Sequence, residues 1–555
     1  MGEPGTDADA VVLDGESLTV EEVVAVARRG APVAVDEEAR EAVRESRARV
    51  EEIVESDEAV YGVNTGFGEL VDVRIPRERI NELQQNLLRS HAAGAGRELS
   101  TEEVRALALT RVNALAKGYS GVREVVVDHL VTMLNEGIHP VVKSRGSLGA
   151  SGDLAPLAHL SLVLIGEGEA DVERGLKSAS DGERPPGRDL DEGERRDGVE
   201  RLPGNEALAA AGLEPLALAA KEGLALINGT QLTVGLAALA VHDVERALRA
   251  ADAAGALTTE VTMGTTAACD PAIQAVRPHA GQAASARNVK RLTEGSEIVE
   301  SHRNCDRVQD AYSIRCLPQV HGAVRDAVAH LREAVAVELN SATDNPLVFP
   351  REDVDPRASG TETAAVVSGG NFHGAPLAFR LDYVAGALTD LAAVAERRVD
   401  RMLNPNLQEP HLPPFLTAEG GLRSGYMIPQ YTAAALLAEC RSEGRPSTDN
   451  TPVSGGQEDH VSMSATSAFA VRRVVERVRT VVAVELLCAA QAAEFVDPAL
   501  SHAPGTRAIY DAVREVVPAL DEDRPSHRDI EAVAALVSSG ALDRRSRAAL
   551  GEALE

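Results

Sequence analysis

Tryptophan is absent from this chain of 555 residues, tyrosine and phenylalanine number seven each, and lysine stands at only five positions: Lys117, Lys143, Lys177, Lys221 and Lys290. Positive charge is scarce throughout. Lysine and arginine total 56 against 86 aspartates and glutamates, a formal net charge of -30. That balance excludes the basic footprint that non-specific nucleic-acid binding needs, and it disfavours docking on an anionic membrane. An acidic, lysine-poor surface rich in small residues points to a protein kept soluble in high salt, where screening weakens its self-repulsion.

The cysteines Cys269, Cys305, Cys316, Cys440 and Cys488 are odd in number and scattered, with no C-x-x-C pair. They suit the reduced thiols of a cytoplasm and form neither a disulfide framework nor a zinc site. The opening MGEPGTDADA has no apolar segment, so no signal peptide is expected. The charge-free run from Gly223 to His242 contains Asn228, Thr230, Gln231 and Thr233. It reads as a buried helix with a polar cluster rather than as a membrane span.

What is present is mostly helix signal. Thr19-Val-Glu-Glu22 has capping-box spacing, and its helix is expected to end at Gly30 after Arg28 and Arg29. Ser100-Thr-Glu-Glu103 repeats the device and opens a helix expected to run to Lys117 and Gly118. Ala/Leu/Val/Arg/Glu-rich stretches at 205–255, 319–340, 376–403, 428–443 and 464–495 exceed strand length and favour helix. The expected fold is mainly α: a bundle core of long helices, a smaller N-terminal region and Gly-rich loops that carry the site. The expected layout is an acidic tail over 1–10, an N-terminal part over 11–260 and a helical-bundle part over 261–555, forming one unit of activity. Residues 171–200, charged and rich in Gly and Pro, read as a solvated acidic insertion loop.

Glycine-rich polar islands interrupt the helices: YGVNTGFG at 61–68, SHAAG at 90–94, GSLGASGD at 146–153, NGTQ at 228–231, QDAYSIR at 309–315, SGGNFH at 368–373 and QEDH at 457–460. Glycines permit tight turns and close backbone approach. The common glycine-rich motifs do not fit the third island. No lysine follows as a phosphate-cradling loop requires. Asp153 stands where a nucleophile elbow needs glycine, and the dinucleotide-loop spacing is wrong. No His/Cys/Asp/Glu spacing matches a standard metal site, so no metal is expected.

The island does hold Ala150-Ser151-Gly152. In a tightly bent loop the unhindered Gly152 nitrogen can attack the Ala150 carbonyl carbon. Loss of one water closes a five-membered ring, and loss of a second turns the Ser151 β-carbon into an exocyclic methylidene. The product is an electrophile that ordinary side chains do not provide. Spacing alone leaves Ser151 or Asp153 as a plain helix cap equally open.

The tripeptide in its context GSLGASGDLAPLAHL resembles the self-forming methylidene-imidazolone (MIO) group of the aromatic amino acid ammonia-lyases and aminomutases. YGVNTGFG, SHAAG, INGTQ, QDAYSIRCLPQVHG, SATDNPLVF, SGGNFH and QEDHVSM resemble segments of that family in the family's order, over roughly residues 11–510. Within the family the likeness is to the histidine branch. That branch carries Ser-His where Ser90-His91 stand and Gln-Glu-Asp-His where Gln457–His460 stand, whereas phenylalanine enzymes tend to have Phe-Leu at the first site.

The resemblance implies conversion of L-histidine to trans-urocanate and ammonia, the first step of histidine degradation. It implies Ala150 and Gly152 cross-linked, Ser151 converted to 2,3-didehydroalanine, and no external cofactor. The substrate amine adds to the methylidene and becomes a better leaving group. Tyr61 is the first candidate for the base that takes the β-proton and Tyr312 the second; an unperturbed tyrosine titrates near ~10, so the site must favour its ionised form. Arg315 is suited to a bidentate grip on the substrate carboxylate. Asn228 and Gln309 supply amides that polarise the ring or fix the substrate, Phe372 stacks on or shields the ring, and Asp153 shapes the loop. His91 and Glu458 meet the imidazole. The family also implies a homotetramer whose sites draw on more than one subunit. Structural alternatives stand beside these roles: Tyr312 and Phe372 as core aromatics, Arg315 as an ion pair, His91 as a structural histidine, Glu458 as a cap. The rival activities are a tyrosine or phenylalanine lyase or aminomutase of the same family, a silent helical scaffold, and a fumarase-type helical lyase.

Overall fold

The computed structural model describes residues 10–56, 76–173, 198–303, 308–448 and 450–555. The chain divides into two compact units: residues 1–239, 332–381 and 445–469 form the first, and residues 240–331, 382–444 and 470–555 the second. Both are predominantly helical.

In the first unit, Thr19 and Glu22 close the expected capping box on the helix Val20–Arg29, which ends at Gly30. At the helix Thr101–Ala116, Glu103 reaches back to the Ser100 N–H at 2.9 Å. Nearly every residue of Thr101–Ala116 is buried, the mark of a helix enclosed by neighbours rather than lying on a surface. Strands are short. Val11–Leu13 pairs in parallel with Val33–Val35, Ala95–Glu98 runs antiparallel to Lys143–Arg145, and Leu347–Pro350 pairs with Ala364–Val367. Glu169–Glu173 and Val199–Pro203 are antiparallel partners, so the two ends of the expected acidic insertion meet as strands; its middle, 174–197, lies outside the described residues.

The stretch 205–255, expected as one helical run, is three helices: Gly204–Ala210, Glu222–Ile227 and the start of Gln231–Val261. Pro215 sits in the first interruption, where its missing N–H cannot serve a helix. Lys221 adopts the left-handed conformation at φ 70°, and its buried ammonium pairs with Asp344 at 3.0 Å. Asn228 and Gly229 make the second interruption. The uncharged run 223–242 is therefore buried but broken, and among the described residues no helix is long and apolar enough to cross a membrane.

The second unit contains the helices Ala280–Thr293, Met427–Ser442, Pro504–Val516, His527–Ser538 and Ala541–Leu550, together with the greater parts of Gln231–Val261, Leu317–Leu339, Ala375–Leu403 and Ser464–Ala493. Cys269, Cys316, Cys440 and Cys488 carry free thiols; Cys305 lies outside the described residues.

Candidate active site

The first unit gathers four of the glycine-rich islands around residues 146–153. The Leu148 carbonyl accepts the Met463 N–H at 2.7 Å. The Gly149 carbonyl accepts both the Gly374 N–H at 3.0 Å and the Ser462 hydroxyl at 2.8 Å. Segments distant in sequence thus pin the loop just before Ala150. Gly149 and Gly152 have φ of 64° and 80°, in the left-handed region that side chains disfavour. A Cβ on Gly149 would overlap the Ser462 and Ser464 hydroxyls, and one on Gly152 would overlap the Gly229 backbone.

Asp153 stands at the N-terminus of the helix Leu154–Leu164, yet its side chain makes no cap bond there. One carboxylate oxygen accepts the Ser147 hydroxyl at 2.6 Å, and the other accepts the Thr233 N–H at 2.8 Å. The cap alternative therefore fails for Asp153, whose carboxylate ties the two arms of the loop to the start of Gln231–Val261. Full burial pushes its pKa up, against the opposing hydrogen bonds from Ser147 and Thr233. The Asp153 N–H donates to the Gly229 carbonyl at 2.6 Å. Beside it the Asn228 amide donates to the Ser151 carbonyl at 2.6 Å, while the other amide atom, Oδ1, is buried with no partner among the described residues. Ala150 and Gly152 are buried and Ser151 half-buried.

His91 ends the helix Ile80–His91 and is half-buried. Its Nδ1 lies 2.9 Å from the Leu87 carbonyl. A carbonyl only accepts, so Nδ1 carries the proton there, and Nε2 has no partner among the described residues. His159 accepts the Gly94 N–H at 3.0 Å and fixes the turn after His91. Phe372 is half-buried in the turn before Ala375–Leu403. Next to it, His373 Nε2 lies 3.3 Å from the His460 carbonyl, and the two imidazoles stack with centroids 5.7 Å apart. The loops of Phe372 and Glu458 are joined in this way. Glu458 is half-buried, and its carboxylate has no partner among the described residues; only its backbone is engaged, accepting the Val453 N–H at 3.0 Å.

Gln309, Tyr312 and Arg315 belong to the second unit. Tyr312 is 70% exposed, which rules out the core-aromatic alternative, and the Arg315 guanidinium lies 4.7 Å over its ring. Arg315 has no ion pair among the described residues. Tyr61, the first candidate base, falls in 57–75, outside the described residues.

Behind the short helix Tyr312–Arg315 lies a polar network that spacing does not announce. Arg398 and Glu485, both fully buried, pair through two bonds of 2.5 and 2.8 Å. Arg398 also donates to the Ser313 carbonyl at 3.3 Å and faces His321 Nε2 at 3.4 Å. The other ring nitrogen of His321 donates to Asp252 at 2.7 Å, and Arg325 and Asn288 complete the Asp252 shell. Burial pulls the pKa of His321 down, against the pull of Asp252. The folded unit therefore refuses a proton that the unfolded chain accepts below about 6.5. Stability from this site is full above that pH and drains away as pH falls. Thermal midpoints taken from pH 8 down to 5 should decline below about 6.5, and His321→Asn should flatten that decline; an equal slope in the variant would assign the acid sensitivity elsewhere.

The aromatic amino acid lyase family profile matches residues 18–515. A probable histidine ammonia-lyase of Halobacterium salinarum is 63% identical over 535 residues, covering 96% of this chain and 97% of the relative. Among solved structures, tyrosine aminomutase from Streptomyces globisporus superposes with a TM-score of 0.87 at 38% identity, covering 99% of this chain and 100% of that one. Histidine ammonia-lyase from Trypanosoma cruzi does so with 0.83 at 37%, covering 98% and 95%. The folds of these neighbours agree with the mainly helical architecture expected from the sequence. The chain belongs to the aromatic amino acid lyase family.

Proposed function

We propose that this protein is an ammonia-lyase that converts L-histidine to trans-urocanate and ammonia, using a methylidene-imidazolone formed from its own Ala150, Ser151 and Gly152. The residues fit that group. The loop is clamped on both sides, and a side chain at position 152 would collide with the Gly229 backbone. The Gly152 N–H has no hydrogen-bond partner among the described residues, which leaves the nitrogen free for closure. The orphaned Asn228 Oδ1 marks a polar position awaiting a partner. When formed, the group supplies an electrophilic carbon for the substrate amine.

The rest falls to this chain's side chains. Asn228 donates to the Ser151 carbonyl oxygen, where negative charge is best stabilised by a fixed donor. Arg315, free of ion pairs among the described residues, grips the substrate carboxylate and orients the β-carbon. Tyr61 or Tyr312 takes the β-proton. Gln309 adds a second amide to the substrate, Phe372 shields the reacting carbon, and Asp153 holds the loop bent.

The observation that carries the substrate assignment is the half-buried Glu458 carboxylate, unpartnered among the described residues. An imidazole N–H satisfies it; a phenyl ring leaves it desolvated and unpaired, at a cost of roughly 1–3 kcal/mol. His91, with Nε2 available, meets the same ring. Glu458→Gln should lower kcat/KM for L-histidine roughly ten- to hundredfold, measured by urocanate absorbance in the near ultraviolet. L-Tyrosine and L-phenylalanine serve as parallel substrates. Turnover confined to those two would keep the family and overturn the histidine assignment in favour of a tyrosine or phenylalanine lyase or aminomutase. The net charge of -30 supports a protein adapted to high salt, and the free thiols of Cys269, Cys316, Cys440 and Cys488 support a reducing cytoplasm. The family supports a homotetramer.

A further inference from the structure

Arg111, in the helix Thr101–Ala116, is fully buried. A buried guanidinium ordinarily sits against a carboxylate. Among the described residues Arg111 instead donates only to neutral oxygens: the Ala225 carbonyl at 2.9 Å, the Asn228 carbonyl at 2.7 Å and the Gln231 side-chain oxygen. Its Nε has no partner among the described residues. Burial lowers its pKa to about 10, with Asp344 and Asp153 opposing that shift, so it stays protonated at neutral pH.

The three acceptors lie on either side of one turn. Ala225 and Asn228 are at the C-terminal end of Glu222–Ile227, where carbonyls lack helical partners and favour a cation. Gln231 opens the next helix, and its amide donates to the Thr343 hydroxyl at 2.7 Å. The turn Asn228-Gly229-Thr230 is thus clamped from behind by one planar fork. Its other side meets Ala150–Asp153 through the Asn228 amide on the Ser151 carbonyl and the Gly229 carbonyl on the Asp153 N–H, each at 2.6 Å.

We propose that Arg111 is a positioning residue for the ring-forming tripeptide: by fixing the Ala225 and Asn228 carbonyls it keeps the Asn228 amide on the Ser151 carbonyl oxygen. This rests on the reading that the tripeptide dehydrates. The guanidinium is suited to the task because its rigid fork reaches two carbonyls at once, which a lysine ammonium on a flexible stem does not. Its charge, in contact with no carboxylate among the described residues, also favours negative charge arising at the Ser151 oxygen.

The test compares wild type with Arg111→Lys, Arg111→Met and Gln231→Ala by intact mass, thermal midpoint, and kcat and KM on L-histidine. Arg111→Lys keeps the charge and loses the fork. The expected result is incomplete loss of the two waters, with kcat in the dehydrated fraction lower by about 100-fold and KM little changed. Gln231→Ala, which loosens one side of the clamp, should shift mass and kcat the same way by less. It carries the test if the Arg111 variants do not fold. Full dehydration with wild-type kcat in a folded Arg111→Lys, or in Gln231→Ala where that variant carries the test, would overturn the proposal. So would a loss confined to KM. A wild-type protein that retains both waters would instead overturn the reading on which the proposal rests, and the mass spectrum alone separates the two.

Discussion

Ser151→Ala should fold like wild type, keep its full calculated mass and lose turnover of L-histidine by roughly 1,000-fold or more, because the electrophile and not a positioning contact has been removed. The structure makes this a clean substitution. The Ser151 side chain is half-buried, and its hydroxyl takes part in no hydrogen bond among the described residues. The contacts that hold the loop run through its neighbours and its own carbonyl: Gly149, Asp153 and the Ser151 oxygen. Removing one hydroxyl leaves all of them in place, so circular dichroism and the thermal midpoint should not move. Wild-type protein should weigh two waters less than its sequence. A Ser151→Ala enzyme that retains near wild-type turnover would point to side-chain acid–base chemistry of the fumarase type. A wild type that turns over none of the three amino acids and keeps its full mass would make the loop a turn and the protein a scaffold.

Much of this was legible in the sequence because the signals are local. The two capping boxes and the stop at Gly30 depend on spacings of a few residues, and the long helices announce themselves by composition and length. The islands were legible as places where helices break, and the resemblance gave the tripeptide its chemistry. What spacing does not contain is the joinery. Ser462 and Gly374 meet on the Gly149 carbonyl although more than two hundred residues separate each from the loop, and serines that donate to backbone look like any others. Asp153 reads as a helix cap by position and proves to be a buried tie to Thr233. The run 205–255 looks continuous by composition, but Lys221 leaves helical geometry just before Glu222–Ile227 and its ammonium pairs with Asp344, a tertiary setting that composition does not show. Arg111 and Arg398 sit in ordinary helical patterns. Only their burial and partners set them apart from the surface arginines that outnumber lysine in this chain.

Arg398→Met should destabilise the protein by about 3–5 kcal/mol, since it strands the Glu485 carboxylate in a site with no exposure. Among the described residues Thr258 is the remaining donor to that carboxylate, at 2.9 Å, and a single hydroxyl does not compensate a buried charge. The pair need not be stabilising in itself for this to hold. Desolvating both ions offsets much of their attraction, so Arg398→Met combined with Glu485→Leu should be markedly more stable than Arg398→Met alone. Thermal midpoints of wild type, single and double variants at pH 7 measure this directly. A double variant as fragile as the single would show that the cost is lost packing rather than the stranded charge. Function offers a second reading of the same variants. The Ser313 carbonyl loses its Arg398 donor in both, so the segment carrying Tyr312 and Arg315 loosens even when stability returns. The double variant should thus recover its midpoint while its KM for L-histidine stays raised, and recovery of both would confine Arg398 to a structural role.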